Sequence, residues 1–90
     1  MKEIFSERLK RSMKAKQLTQ RQLGMLIGKH QIEISRYITN ANTPSIETLC
    51  KLCKALNVSA DYLIGLSDDP RNDIERLKAE LLEQIRSVLE

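Results

Sequence analysis

Tryptophan is absent from this 90-residue chain, and Phe5, Tyr37 and Tyr62 are its only aromatic residues. A core without large rings must come from Leu, Ile and Met, and at this length it must be small, enough for one domain. Only two cysteines occur, in Cys50-Lys-Leu-Cys53, and one histidine, His30. Two thiols and one imidazole do not supply a four-ligand zinc site. A Cys-x-x-Cys redox pair wants a strand–helix context that the neighbouring sequence lacks. Both cysteines are expected as core or boundary residues that stay reduced. No Ser–His–Asp set can be assembled around His30, and no glycine-rich phosphate loop is present. An enzyme, a metal and a cofactor are therefore not expected. No apolar run reaches the 18 residues of a membrane span. The N-terminal MKEIFSERLKRSMK is broken by charge where a signal peptide needs an apolar stretch. The expected location is the cytoplasm, with no membrane partner.

Charge is plentiful and unevenly placed. Residues 1–60 hold 11 Lys/Arg against 4 Asp/Glu, whereas residues 61–90 hold 4 against 8. A basic body with an acidic tail points to a polyanion as partner for the body, with the tail keeping the free protein soluble. On charge alone, an ordinary solvated surface is the stronger reading.

Apolar spacing predicts helices throughout. The first runs over 3–16, with Ile4, Leu9 and Met13 recurring and Phe5 and Ser12 beside them; Arg8, Lys10, Arg11 and Lys14 lie on its other face. Those basic residues read mainly as solvated surface. Thr19 is placed to cap a second helix over 20–27, with Leu23, Leu26 and Ile27 inward and Gly28 as its stop. A third helix, 31–39, turns Ile34, Tyr37 and Ile38 to one side. Asn40-Ala-Asn-Thr-Pro44 is a loop, since Pro44 blocks a continuing helix. Ser45 caps a fourth helix over 46–56, striped by Ile46, Leu49, Leu52, Cys53 and Leu56 and stopped by Asn57. Ser59 caps a fifth over 60–65, in which Tyr62, Leu63 and Ile64 are part-buried. The polar stretch 67–72 reads as a linker. Beyond it, Asp73 is placed to cap a sixth helix over 74–89. Its apolar residues Ile74, Leu77, Leu81, Ile85 and Val88 form one stripe.

The stretch Thr19–Asn40 carries the functional argument. It is two short helices joined at Gly28, with Gln31, Ile32, Glu33, Ser35 and Arg36 left off the inward face of the second. A helix anchored on one side with polar groups on the other suits the DNA major groove. Arg36 can donate twice to guanine, Gln31 can pair with an adenine edge, and Ile32 can touch a thymine methyl. Glu33 can accept from a cytosine amino group, or instead brace Arg36 or Lys29. The helix N-termini at Gln20 and Ser45 can clamp phosphates, with Arg21 and Lys29 adding charge and His30 serving as cap or phosphate contact.

The order of these signals resembles the Cro/CI-type helix-turn-helix of phage-repressor-like bacterial regulators, the XRE family. The matching residues are Leu18-Thr19-Gln20 with Leu23, Gly28, Ile34-Ser35-Arg36-Tyr37, Pro44-Ser45-Ile46-Glu47-Thr48-Leu49, Lys54-Ala55-Leu56, and Val58-Ser59 before Tyr62-Leu63-Ile64-Gly65. The chain departs from the pattern at Ile38-Thr39-Asn40, often Glu-Asn-Gly, and at His30, usually a small hydroxyl residue. The resemblance implies an all-α fold, a five-helix lambda-repressor-like DNA-binding bundle over 1–66. The linker at 67–72 and an amphipathic helix at 73–90 then lie outside the match. It also implies double-stranded DNA as partner, binding as a homodimer, and repression as the usual outcome. By position it implies backbone contact and bracing of helix three by Gln20, base contacts from Gln31, Ile32 and Arg36, and phosphates near Lys29, Asn42, Thr43 and Ser45.

Helix six is the expected dimerisation device, through Ile74, Leu77, Leu81, Ile85 and Val88; the alternative is that it folds back on its own bundle. The leading function is a sequence-specific repressor on a near-palindromic operator. It would be controlled by concentration, a protein antagonist or proteolysis, since no ligand cavity is expected. The alternative is an antitoxin-type interaction module of a toxin–antitoxin or mobile-element system, with the tail binding a toxin.

Overall fold

The computed structural model describes residues 2–89. They form six α-helices and no strand: α1 (Lys2–Ala15), α2 (Gln20–Ile27), α3 (Gln31–Ile38), α4 (Ile46–Leu56), α5 (Ala60–Ile64) and α6 (Asp73–Leu89). The all-α expectation holds, and α2 to α6 each begin behind a capping side chain. Thr19 Oγ1 accepts from Gln22 N–H at 3.1 Å while the Gln22 side chain accepts from Thr19 N–H at 2.9 Å, a reciprocal cap. Ser45 and Ser59 cap α4 and α5 in the simpler way, at 3.2 and 3.1 Å. Three stops are left-handed residues, Gly28, Asn57 and Gly65. Asn40 also takes positive φ, so the loop closes without the family's usual glycine.

The core lies between α1 and the four helices that follow. Phe5, Leu9, Leu23, Ile34, Leu52, Leu56 and Leu63 are fully buried, and Met13, Ile27, Tyr37 and Tyr62 nearly so. Three inward assignments need correction. On α1 the buried residues are Phe5, Leu9, Ser12 and Met13, the i, i+4, i+7, i+8 face, with Ser6 beside them, while Ile4 sits at the rim beside Gly65. On α2 it is Leu23, Gly24 and Ile27, and Leu26 points to solvent. On α4, Ile46 occupies the first turn beyond the edge of the bundle and is 82% exposed.

Arg8 is not part of a solvated face. Its guanidinium donates to the carbonyls of Tyr62 (2.7 Å) and Ser67, pairs with Asp68 at 2.7 Å, and lies 4.6 Å from the Tyr62 ring centroid. It thereby ties α1 to α5 and to the segment that follows. That segment is further held by Ser59 N–H donating to the Pro70 carbonyl at 2.8 Å and by the Asp69–Arg71 pair. The Arg71 side chain and backbone N–H hold the Asp69 carboxyl down at about 2. Asn72, not Asp73, caps α6: its Oδ1 accepts from Glu75 N–H at 2.9 Å, and Asp73 pairs with Arg76. A shallow, open cleft of about 300 Å³ lies where Ser12 and Ala15 of α1 approach Leu56, Val58, Tyr62 and Pro70.

Candidate nucleic-acid interface

Three contacts fix α3 from behind. Ile34 is sealed in the core; Tyr37 meets Phe5 edge-on at 6.2 Å between centroids; and Ser6 of α1 donates to the Ile38 carbonyl. Burying Ile34 and Tyr37 stabilises this placement by roughly 2 kcal/mol each. The periodicity that sends these two residues inward sends Gln31, Ile32 and Arg36 outward, and all three are exposed. An α-helix is about 10–12 Å across with its side chains, which matches the roughly 12 Å width of the major groove.

The angle between α2 and α3 is set by two glycines. Gly28 stands at φ 71°, ψ 33°, and its N–H returns to the Gly24 carbonyl. Lys29 N–H donates to the same carbonyl at 2.8 Å. A β-carbon on Gly24 would lie 2.6 Å from the Lys29 carbonyl oxygen, so only glycine permits this approach of α2 to the start of α3. Sequence reasoning missed Gly24. Its signal was there: a glycine inside a helical pattern marks close backbone packing.

His30 is the cap of α3. Its Nδ1 accepts from Ile32 N–H at 3.1 Å. An accepting Nδ1 leaves the ring hydrogen on Nε2, a donor for an anion at this helix end. Glu33 turns to Lys29, its carboxylate oxygen 3.7 Å from Nζ, and not to Arg36. Arg36 therefore keeps its whole guanidinium free of ion pairs among the described residues.

The helix-turn-helix family model matches residues 9–63. The chain belongs to the Cro/CI-type (XRE) helix-turn-helix family. It is 34% identical over 73 residues to the uncharacterized HTH-type transcriptional regulator YobD of Bacillus subtilis, covering 81% of this chain and 65% of that protein. It is 34% identical over 61 residues to the uncharacterized HTH-type transcriptional regulator YqaE of the same organism, covering 68% and 53%. The chain thus spans between half and two thirds of the length of these relatives. No solved structure matches.

Around the helix-turn-helix unit, Gln20 and Arg21 stand exposed in the first turn of α2. Asn42, Thr43 and Ser45 are exposed ahead of α4. The Ser45 hydroxyl is engaged twice, accepting from Thr48 N–H and donating to Thr48 Oγ1 at 3.1 Å. A phosphate there would meet the free N–H groups of the first α4 turn before the hydroxyl. The cysteines lie away from the unit. Cys50 is exposed and Cys53 half-buried, burial pushing the Cys53 thiol up with the neighbouring Cys50 adding to it. No group of three or more His, Cys, Asp or Glu among the described residues is placed to hold a metal. No described helix is long and apolar enough to cross a membrane.

Proposed function

We propose that this protein is a sequence-specific DNA-binding transcriptional regulator, acting in the cytoplasm as a repressor that occludes a promoter. The observation that carries this reading is α3, held by Ile34 and Tyr37 while Gln31, Ile32 and Arg36 face out unpaired. Arg36 and Gln31 select guanine and adenine edges, each contributing about 1–3 kcal/mol of discrimination, and Ile32 selects a thymine methyl. Glu33 serves chiefly to hold Lys29, and rejects phosphates that approach from the wrong side. Gln20, Arg21, Lys29, His30, Asn42, Thr43 and Ser45 fix register on the phosphates.

One bundle offers a small contact area, so two act together on a near-palindromic operator with half-sites about one helical turn apart. Ile74, Leu77, Leu81, Ile85 and Val88 of α6 hold the homodimer. Selection of bound sites from a random DNA pool tests the reading. It should return a two-fold-related motif; recovery of random sequence would refute specificity.

A further inference from the structure

We infer that α6 pairs with α6 of a second copy of this chain in parallel and in register. The inference rests on the dimeric reading above and fixes its geometry. Ile74, Leu77, Leu81, Ile85 and Val88 are each more than half exposed, and no described residue of α6 is buried. Such a face on a 17-residue helix calls for a cover of matching length.

Apolar spacing alone does not set the direction. The steps of 3, 4, 4 and 3 read the same from either end, so the stripe also suits an antiparallel copy centred on Leu81. The flanking charges set it. With Ile74, Leu81 and Val88 at heptad position a and Leu77 and Gln84 at d, position g holds Asp73, Glu80 and Ser87, and position e holds Lys78 and Ile85. In a parallel pair each g residue faces the e residue five further along the second copy. Asp73 of one copy, which remains exposed beside its own Arg76, then meets Lys78 of the other, twice by symmetry, and Glu80 meets Ile85. In an antiparallel pair g faces g, so Glu80 meets Glu80 and Lys78 meets Ile85. Parallel pairing brings opposite charges together and no like ones; antiparallel pairing does the reverse. Parallel pairing also sets Gln84 against Gln84, where two amides can bond to each other across the seam and fix register.

Direction decides how the DNA is held. A 17-residue helix is about 25 Å long. Parallel pairing puts both bundles at one end of the seam, so two α3 helices can address one duplex. Antiparallel pairing sets the bundles apart by the helix length.

The test uses the full chain with Cys50→Ser and Cys53→Ala, carrying either Gln84→Cys or Leu81→Cys, in a glutathione redox buffer. Parallel pairing predicts disulfide-linked dimers from both. In an antiparallel pair the two positions 84 are offset by about 9 Å along the axis, beyond the roughly 7 Å reach of a disulfide. Linking by Leu81→Cys alone therefore overturns the inference, as does linking by neither. As a second readout, Lys78→Glu should weaken the dimer about tenfold by sedimentation equilibrium; an unchanged dimer contradicts the pairing. A chain that fails these tests but still selects one DNA sequence overturns the pairing and leaves the DNA reading intact.

Discussion

Helix α3 buries Ile34 and Tyr37 and shows polar groups to solvent; α6, with a longer and more regular apolar stripe, buries none of its described residues. Both patterns are amphipathic, and the difference lies in what the rest of the chain supplies. The α3 stripe meets Phe5 and Leu23 in a shared core, and Ser6 bonds its last carbonyl. The first turns of α6 are tied by Asn57 donating to Glu75 at 3.0 Å, and its remaining length has no bundle surface to lie on. An apolar stripe states that a face wants cover. It does not state whether the cover comes from the same chain.

The sharpest way to break this comparison is to truncate one residue on each stripe. Ile34→Ala should destabilise the bundle by about 2–5 kcal/mol, by lost burial and a cavity. Leu81→Ala should leave bundle unfolding nearly unchanged while weakening self-association. Urea denaturation followed by circular dichroism, with sedimentation alongside, separates the two; equal losses of folding stability would erase the distinction.

A smaller effect is expected at the joint that aims α3. Gly24→Ala places a methyl against the Lys29 carbonyl, and a cost of about 1–3 kcal/mol follows from overpacking. The same denaturation experiment checks it, and an unaltered midpoint would show that α2 and α3 can separate freely.

The smallest effect is chemical. The half-buried Cys53 thiol is raised above its ordinary range, so at pH 8 it holds less thiolate than an unshifted thiol. Iodoacetamide should therefore modify the exposed Cys50 first, with Cys53 catching up as pH rises; mass-resolved peptide labelling follows both. Cys53 reacting first would mean that α4 is less well packed than its neighbours.

The helix boundaries were legible because short-range chemistry writes them. The Thr19, Ser45 and Ser59 caps and the stops at Gly28, Asn57 and Gly65 depend only on adjacent residues, and α2 and α4 span the expected residues. Facing was harder at the ends of helices, where one apolar residue can slip past the rim, as Ile4, Leu26 and Ile46 do. Arg8 was illegible for another reason: its partners Tyr62, Ser67 and Asp68 are more than 50 residues away in sequence. Gln17 takes φ 56° at the end of α1, where residue type gave no warning. In the candidate interface, the outward triad of Gln31, Ile32 and Arg36 followed from periodicity. The choice of Lys29 over Arg36 by Glu33 did not, because both spacings suit a helical ion pair.

The central claim is that the outward face of α3 reads bases. Competition binding with the selected operator and with random duplex, at one fixed salt concentration, tests it on the Arg36→Ala variant. Operator affinity should fall by about tenfold to a hundredfold while random-duplex affinity changes far less, so the preference collapses. Equal loss on both duplexes would make Arg36 a phosphate contact and contradict the claim.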